Sequence, residues 1–359
     1  MKKLFTVLGL LAFLTLSAQP PQGQNPPQGQ PRPRFERPAK GTLYDYPNAH
    51  DPVVAFCDGR YYVFTTGMSV MSSEDMKIWR LEDPVFSTPP QWAADKGFRG
   101  TPWAPDIQFH NGLWYLYYSY SGFGKNKSAI GVMTNKTLNP DSPDFKWEDQ
   151  GMIVESVPGR DEWNAIDANM IVDETGTGWV VFGSFWRGIK MFRLDETMTK
   201  MAEPQEWYPV VRRPEGTTKD IAGKDDGLKP DPRGKDFDAG NGAVEAPFIF
   251  RHGDYYYLFV SYDLCCRGAN STYNVVVGRS EKVTGPYLDA DGNSLMEGAG
   301  TLVAKGNDQF AAVGHCAVAN FNGKDYIYMH GYDKDYNYQS KLVIREITWT
   351  PDGWPKVEL

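Results

Sequence analysis

Glu245-Ala246-Pro247-Phe248-Ile249-Phe250-Arg251-His252-Gly253-Asp254-Tyr255-Tyr256-Tyr257-Leu258-Phe259 is a strand, a glycine turn and an aromatic strand, opened by a carboxylate eight residues before the turn glycine. The same phrase recurs along the chain. Asp51 precedes Gly59, Ala104 precedes Gly112 and His315 precedes Gly323 at that spacing, while Asp167 leads a copy whose turn, at Gly176, is one residue longer. Each copy runs on into an aromatic strand, as in Tyr61-Tyr62-Val63-Phe64, Leu113-Trp114-Tyr115-Leu116-Tyr117, Trp179-Val180-Val181-Phe182 and Tyr326-Ile327-Tyr328-Met329. A third strand follows in every copy, for example Ala129 to Met133 and Tyr273 to Gly278, with the alternation and β-branching of sheet. No stretch carries a long helical period. Short strands repeated at such a period predict an all-β, five-bladed β-propeller, with the first strand of each copy innermost.

The 359 residues suffice for one large domain of this kind. Lys2 and Lys3, an apolar run from Leu4 to Leu16 and the small residues Ser17-Ala18 have the pattern of a secretory signal over 1–18. That run is too short to span a bilayer, so export with removal is the expectation, and no membrane span is expected. Residues 19–40 are rich in Pro, Gln and Gly without apolar periodicity and read as a disordered linker. The propeller is then assigned to 41–359. A second Gly, Pro and charge-rich stretch, 212–242, directly precedes Glu245 and is expected at the rim of the axial opening.

A formal charge of −8 argues against nucleic acid or an anionic membrane as partner. Aromatic residues make up 14% of the chain, enough to fill sheet cores and also line a sugar-binding cleft. Cys265 and Cys266 are adjacent, and Cys57 and Cys316 fall in different copies, so the four cysteines form no dense disulfide framework. The adjacent pair reads as two thiols or as a strained vicinal disulfide.

If the aligned positions converge on one axis, Asp51, Asp167 and Glu245 share a cavity. Crowded carboxylates do not all ionise cheaply, so one keeps its proton near neutral pH while a better-paired one stays charged. Glycoside hydrolysis needs such a division, and inverting enzymes hold the two working groups roughly 6.5–9.5 Å apart. Glu245 is assigned as general acid, Asp51 as general base and Asp167 as the neighbour that raises the proton affinity of Glu245. His315, at the same register, could hold a metal through one ring nitrogen with waters completing the shell. Asp289-Ala290-Asp291-Gly292-Asn293 lacks the closing Glu of a calcium loop, and Ser121-Gly122-Phe123-Gly124 lacks the strand-helix context of a phosphate loop.

In order along the chain stand Ala49-His50-Asp51-Pro52, Trp103-Ala104-Pro105-Asp106, Asn164-Ala165-Ile166-Asp167-Ala168-Asn169, Gly183-Ser184-Phe185-Trp186-Arg187-Gly188-Ile189, Val244-Glu245-Ala246-Pro247 and Cys265-Cys266-Arg267-Gly268. With these phrases the chain resembles the family 43 glycoside hydrolases, in particular their arabinanase branch, over nearly all of 44–359. The resemblance implies a five-bladed propeller that cleaves α-1,5-linked arabinofuranose chains, the arabinan of pectin, with inversion. It implies the same roles for Asp51, Asp167 and Glu245. It also implies substrate contacts by His50, Asn164, Ala165, Ile166, Ser184, Phe185 and Trp186, a stacking wall at Trp103 and room for a sugar at Gly131. His315 would hold a calcium ion largely through water. Cys316-Ala317 after His315 departs from many endo-acting members.

An exported, monomeric endo-arabinanase is therefore the leading expectation. The alternatives are an exo-acting arabinanase, an α-L-arabinofuranosidase or a β-xylosidase, or, in another class, a propeller that binds sugar without cutting it.

Overall fold

The computed structural model describes residues 37–213 and 242–359. The expected leader, nearly all of the Pro/Gln-rich segment and most of 212–242 lie outside these residues. Residues Lys40–Leu359 form one compact unit.

The turn chemistry explains the strand pairing. Asp58-Gly59, Asn111-Gly112 and Asn322-Gly323 hold both central residues at positive φ, the mirror-image turn whose twist suits a two-residue hairpin. They join β2 (Val53–Cys57) to β3 (Arg60–Thr65), β6 (Trp103–His110) to β7 (Leu113–Tyr120), and β18 (Phe310–Phe321) to β19 (Lys324–Asp333). A longer turn joins β10 (Asn169–Val172) to β11 (Gly178–Phe182). Between β14 (Val244–His252) and β15 (Tyr255–Tyr262) the turn is Gly253-Asp254, with His252 facing Tyr255. Here the glycine comes first in the turn rather than second.

Antiparallel sheets follow from these hairpins. The first adds β4 (Ser69–Ser73), β5 (Trp79–Leu81) and an outer β1 (Leu43–Tyr44), in the order β1-β5-β4-β3-β2. The second adds β8 (Ser128–Asn135) and β9 (Glu148–Ser156), and the third adds β12 (Ile189–Arg193) and β13 (Trp207–Val211). The fourth adds β16 (Asn274–Ser280) and β17 (Thr301–Lys305), and the fifth β20 (Gln339–Trp349) and β21 (Pro355–Lys356). The leading strands β2, β6, β10, β14 and β18 touch in succession, and β18 returns to β2, so they form a closed ring of five blades. The only described α-helix is α1 (Gln91–Asp95), one short turn.

Apolar wedges between blades hold the ring. Tyr117, Ile130 and Val132 of blade two pack with Val180, Phe182 and Phe192 of blade three. Val181 and Met191 on the opposite face of blade three pack with Leu258, Val260 and Val276 of blade four. Both faces of a blade are thus buried, and its strands read as nearly continuous apolar runs. Polar ties add direction: Asp106 of blade two accepts from the Met170 N–H at 2.8 Å, and Asn169 of blade three accepts from the Ile249 N–H at 2.8 Å.

Candidate active site

Each leading strand is entered through a residue in the left-handed region: Asp51 (φ 52°), Ala104 (40°), Asp167 (57°), Ala246 (53°) and His315 (49°). Bulges next to three of these residues, at Trp103/Asp106, Glu245/Phe248 and Gly314/Ala317, break the ladder where the strands turn toward the axis. The fourth member of this ring is Ala246, not Glu245. Counting from the turn glycine misplaces the register by one, because Gly253 leads its turn whereas the other glycines close theirs. Glu245 therefore corresponds in the ladder to Trp103 and Gly314, and its side chain reaches the cavity from the preceding position.

The backbone N–H groups of the ring residues are caught by the neighbouring blade. Thr66 Oγ1 accepts from Ala104 (2.9 Å), Ser119 Oγ from Asp167 (3.2 Å), Ser261 Oγ from His315 (2.8 Å) and His330 Nδ1 from Asp51 (3.2 Å). The corresponding position of blade three is Gly183, which donates its N–H to Ile166 O as Thr66 does to His50 O. Gly183 has no side chain to offer. The carboxylate of Asp167 takes its place and accepts from the Ala246 N–H at 3.1 Å, which holds Asp167 against the residue that follows Glu245.

Asp51, Asp167, Glu245 and His315 all line one cavity of about 260 Å³. His315 Nδ1 lies 3.0 Å from Asp51 Oδ1, and the Thr66 hydroxyl donates to Asp51 Oδ2 at 2.6 Å. His50 Nε2 is 3.7 Å from Asp51 Oδ1. Burial by itself would raise the Asp51 carboxyl, but His315 and His50 more than offset it and hold the group well below the ordinary carboxylate range. Against the burial that would lower it, Asp51 lifts His315 to about 9. His330, fully buried and beside His50, is held well below its ordinary value by burial, and stays neutral.

The other two acids behave oppositely. Burial raises both Asp167 and Glu245, and the charge of Glu245 raises Asp167 further. Glu245 Oε2 accepts from Ser184 Oγ at 2.8 Å and Oε1 from Tyr273 OH at 2.8 Å, fixing the carboxyl at both ends. The site therefore contains an ionised carboxylate clamped by imidazoles and, in the same cavity, an acid pair that retains a proton more readily than a free carboxyl.

Of the residues expected at the substrate, His50, Trp103, Asn164 and Ile166 line the same cavity. Ser184, Phe185 and Trp186 do so as well. Two expectations need correction. Ala165 is fully buried and outside the lining, since its side chain packs between blades two and three. Gly131 makes room for the protein rather than for sugar: it lies in β8, and a Cβ there would collide with the Trp92 ring and meet Tyr118 at 3.0 Å.

Thr66, Tyr273 and His330 carry much of this geometry and were not singled out in the sequence. The hydroxyl residues at the ends of the aromatic strands, Thr66, Ser119 and Ser261, were the available signal. The Ser121–Lys125 loop, set aside as a phosphate loop, also lines the cavity.

Residues 47–355 match the sequence profile of Glycosyl hydrolases family 43. The chain belongs to that family. An extracellular exo-α-(1→5)-L-arabinofuranosidase of Cellvibrio japonicus is 48% identical over 315 residues, covering 87% of this chain and 86% of that protein. An extracellular endo-α-(1→5)-L-arabinanase of Bacillus subtilis is 35% identical over 328 residues, covering 89% and 91%. Among solved structures, the α-L-arabinanase of Cellvibrio cellulosa in complex with arabinohexaose superposes with a TM-score of 0.80 at 47% identity, over 87% of this chain and 96% of that one.

Proposed function

We propose that this family 43 member is an exported glycoside hydrolase that cleaves α-1,5-linked L-arabinofuranose chains with inversion. The observation that carries the reading is one cavity whose acids are shifted in opposite directions, with Asp51 held well below the ordinary carboxylate range by His315 and His50 while burial raises Asp167 and Glu245. Asp51 takes a proton from the attacking water, and Glu245 gives one to the departing sugar oxygen. Asp167, fixed by the Ala246 N–H, is assigned the role of raising the proton affinity of Glu245, since two neighbouring carboxylates oppose each other's ionisation and the Glu245 charge raises Asp167. Ser184 and Tyr273 orient the acid. Trp103 and Trp186 offer aromatic walls for the sugar faces. The relatives' names support both the substrate and the export.

A calcium ion near His315 belongs to this proposal. Calcium takes roughly six to eight oxygen ligands; His315 Nδ1 is engaged by Asp51, so such an ion would have to replace the proton on the other ring nitrogen and take its remaining ligands from water. Such an ion would supply a fixed positive charge in the channel.

Internal attack on the polymer is the proposed mode. Attack from a chain end is the second reading, favoured by the higher identity of the exo-named relative. Time-resolved product sizes from debranched arabinan separate them, because a ladder of oligomers marks internal cleavage and a single short product from the outset marks terminal cleavage. Glu245→Ala should lose turnover and keep oligosaccharide affinity. A wild-type protein that binds arabinan and never cleaves it would be a sugar-binding propeller instead.

A further inference from the structure

Hydrolysis has no use for a thiol, yet two adjacent cysteines stand in the cavity wall. Cys265 and Cys266 follow β15 and both line the cavity that holds the three acids. Their sulfurs are 2.8 Å apart. Cys266 sits at φ 64°, a left-handed kink that turns the two side chains toward each other. Its backbone N–H donates to Tyr332 OH at 2.8 Å, and its sulfur faces His50 Nε2 at 3.7 Å. The same nitrogen of His50 lies 3.7 Å from Asp51, so the imidazole is shared between Cys266 and the carboxylate assigned as base. The ring of His50 is held in place by stacking on His330, centroids 4.3 Å apart.

We propose that Cys265 and Cys266 form a reversible dithiol–disulfide couple in the cavity wall, and that closing the bond slows hydrolysis by withdrawing Cys266 from His50. The consequence for turnover rests on the functional reading above; the couple itself does not. The oxidant is a small soluble disulfide. The Cys266 sulfur, as thiolate, attacks one sulfur of that reagent, the reagent's S–S bond breaks, and the first thiolate leaves. Cys265, giving up its proton, then attacks the Cys266 sulfur of the mixed disulfide and expels the second thiolate. Two protein thiols are oxidised, one external disulfide is reduced, and the two protons end on the released thiols.

Neighbouring Cα atoms are about 3.8 Å apart, less than the roughly 4.4–6.8 Å that most disulfides span, so the ring is strained and readily reopened. Closure draws the Cys266 sulfur toward Cys265 and removes its thiolate. His50 Nε2 then loses one of the two groups it faces at 3.7 Å, so its ring is free to re-seat and the wall beside Asp51 is no longer held in its working position.

The test uses the full chain reduced, then equilibrated with hydroxyethyl disulfide, with intact mass, peptide mapping and kcat on debranched arabinan read together. The expected result is a mass lower by two hydrogen atoms, a bond mapped to Cys265–Cys266, kcat reduced about fivefold or more, and recovery with dithiothreitol. Cys265→Ala should instead stop at a stable mixed disulfide on Cys266. Four free thiols after treatment, a bond elsewhere, or a mapped bond with unchanged kcat would each overturn the proposal. A reduced protein inactive on arabinan would overturn the functional reading alone, with mass and mapping still deciding whether the couple exists.

Discussion

Thr66 shows how one side chain disciplines the site. Its lone pair receives the Ala104 N–H, so its single hydroxyl proton is directed at Asp51. Thr66→Val removes a donor that stabilises the charged carboxylate, which raises the proton affinity of Asp51. The acid limb of the rate profile should therefore move to higher pH, with kcat down about tenfold, as pH-resolved kinetics would show. Tyr273 acts on the other limb. Its hydroxyl stabilises the ionised form of Glu245, so Tyr273→Phe should raise the affinity of that acid for its proton and shift the alkaline limb upward. Asp51→Asn and Glu245→Gln should each cost about 10²- to 10⁴-fold in kcat while leaving oligosaccharide binding in place, measurable by calorimetry.

At the scale of elements, the informative feature is the blade three to blade four junction. Gly183 has φ 133°, and a Cβ there would stand 3.0 Å from Gly188 O. Gly183→Ala is expected to strain the end of β11 and disturb the Asp167 contact to Ala246, lowering activity more than the neighbouring blades' Ser119→Ala or Ser261→Ala. Asp106 ties blade two to blade three through Met170 and Asn169 while fully buried, and burial lifts its carboxyl to about 6. Asp106→Ala leaves these donors without their acceptor and should destabilise the fold by about 2–4 kcal/mol, readable as a lower urea midpoint. The strand and hairpin pattern behind these junctions was legible in the sequence, since Asn-Gly and Asp-Gly turns between aromatic runs leave little choice of structure. The one-residue register of blade four was not, because Gly253 and Gly112 look alike as letters and differ only in which turn position they fill.

For the whole molecule the question is how the ring closes. The segment before Asp51 pairs with the last blade: Ala49 N–H donates to Ser340 O at 3.0 Å, and Leu342 N–H to Pro47 O at 3.0 Å. Tyr46 OH donates to Asp333 at 2.6 Å in the same seam. The apolar side of the closure is Val54, Val63 and Trp79 against Tyr328 and Leu342. A chain beginning at His50 loses the hydrogen bonds and is expected to melt several degrees lower, since each net bond contributes about 1 kcal/mol. Because the lost pairing of Pro47 and Ala49 with blade five is what seats Asp51 beside His330, the same truncation should reduce activity below the melting point, which scanning calorimetry paired with rate measurements would separate from unfolding.

By itself the sequence determined the architecture, the three acids and the histidine of the axis, because local alternation, turn residues and repeat spacing are properties of neighbours along the chain. Tertiary structure decided the rest. That Asp51 is lowered while Asp167 and Glu245 are raised depends on burial and on which imidazoles, hydroxyls and N–H groups other blades bring within about 3 Å, where such contacts are strong. That Gly131 packs on Trp92, and that Cys266 shares His50 with Asp51, depend likewise on side chains distant in sequence, whose meeting only the closed ring produces.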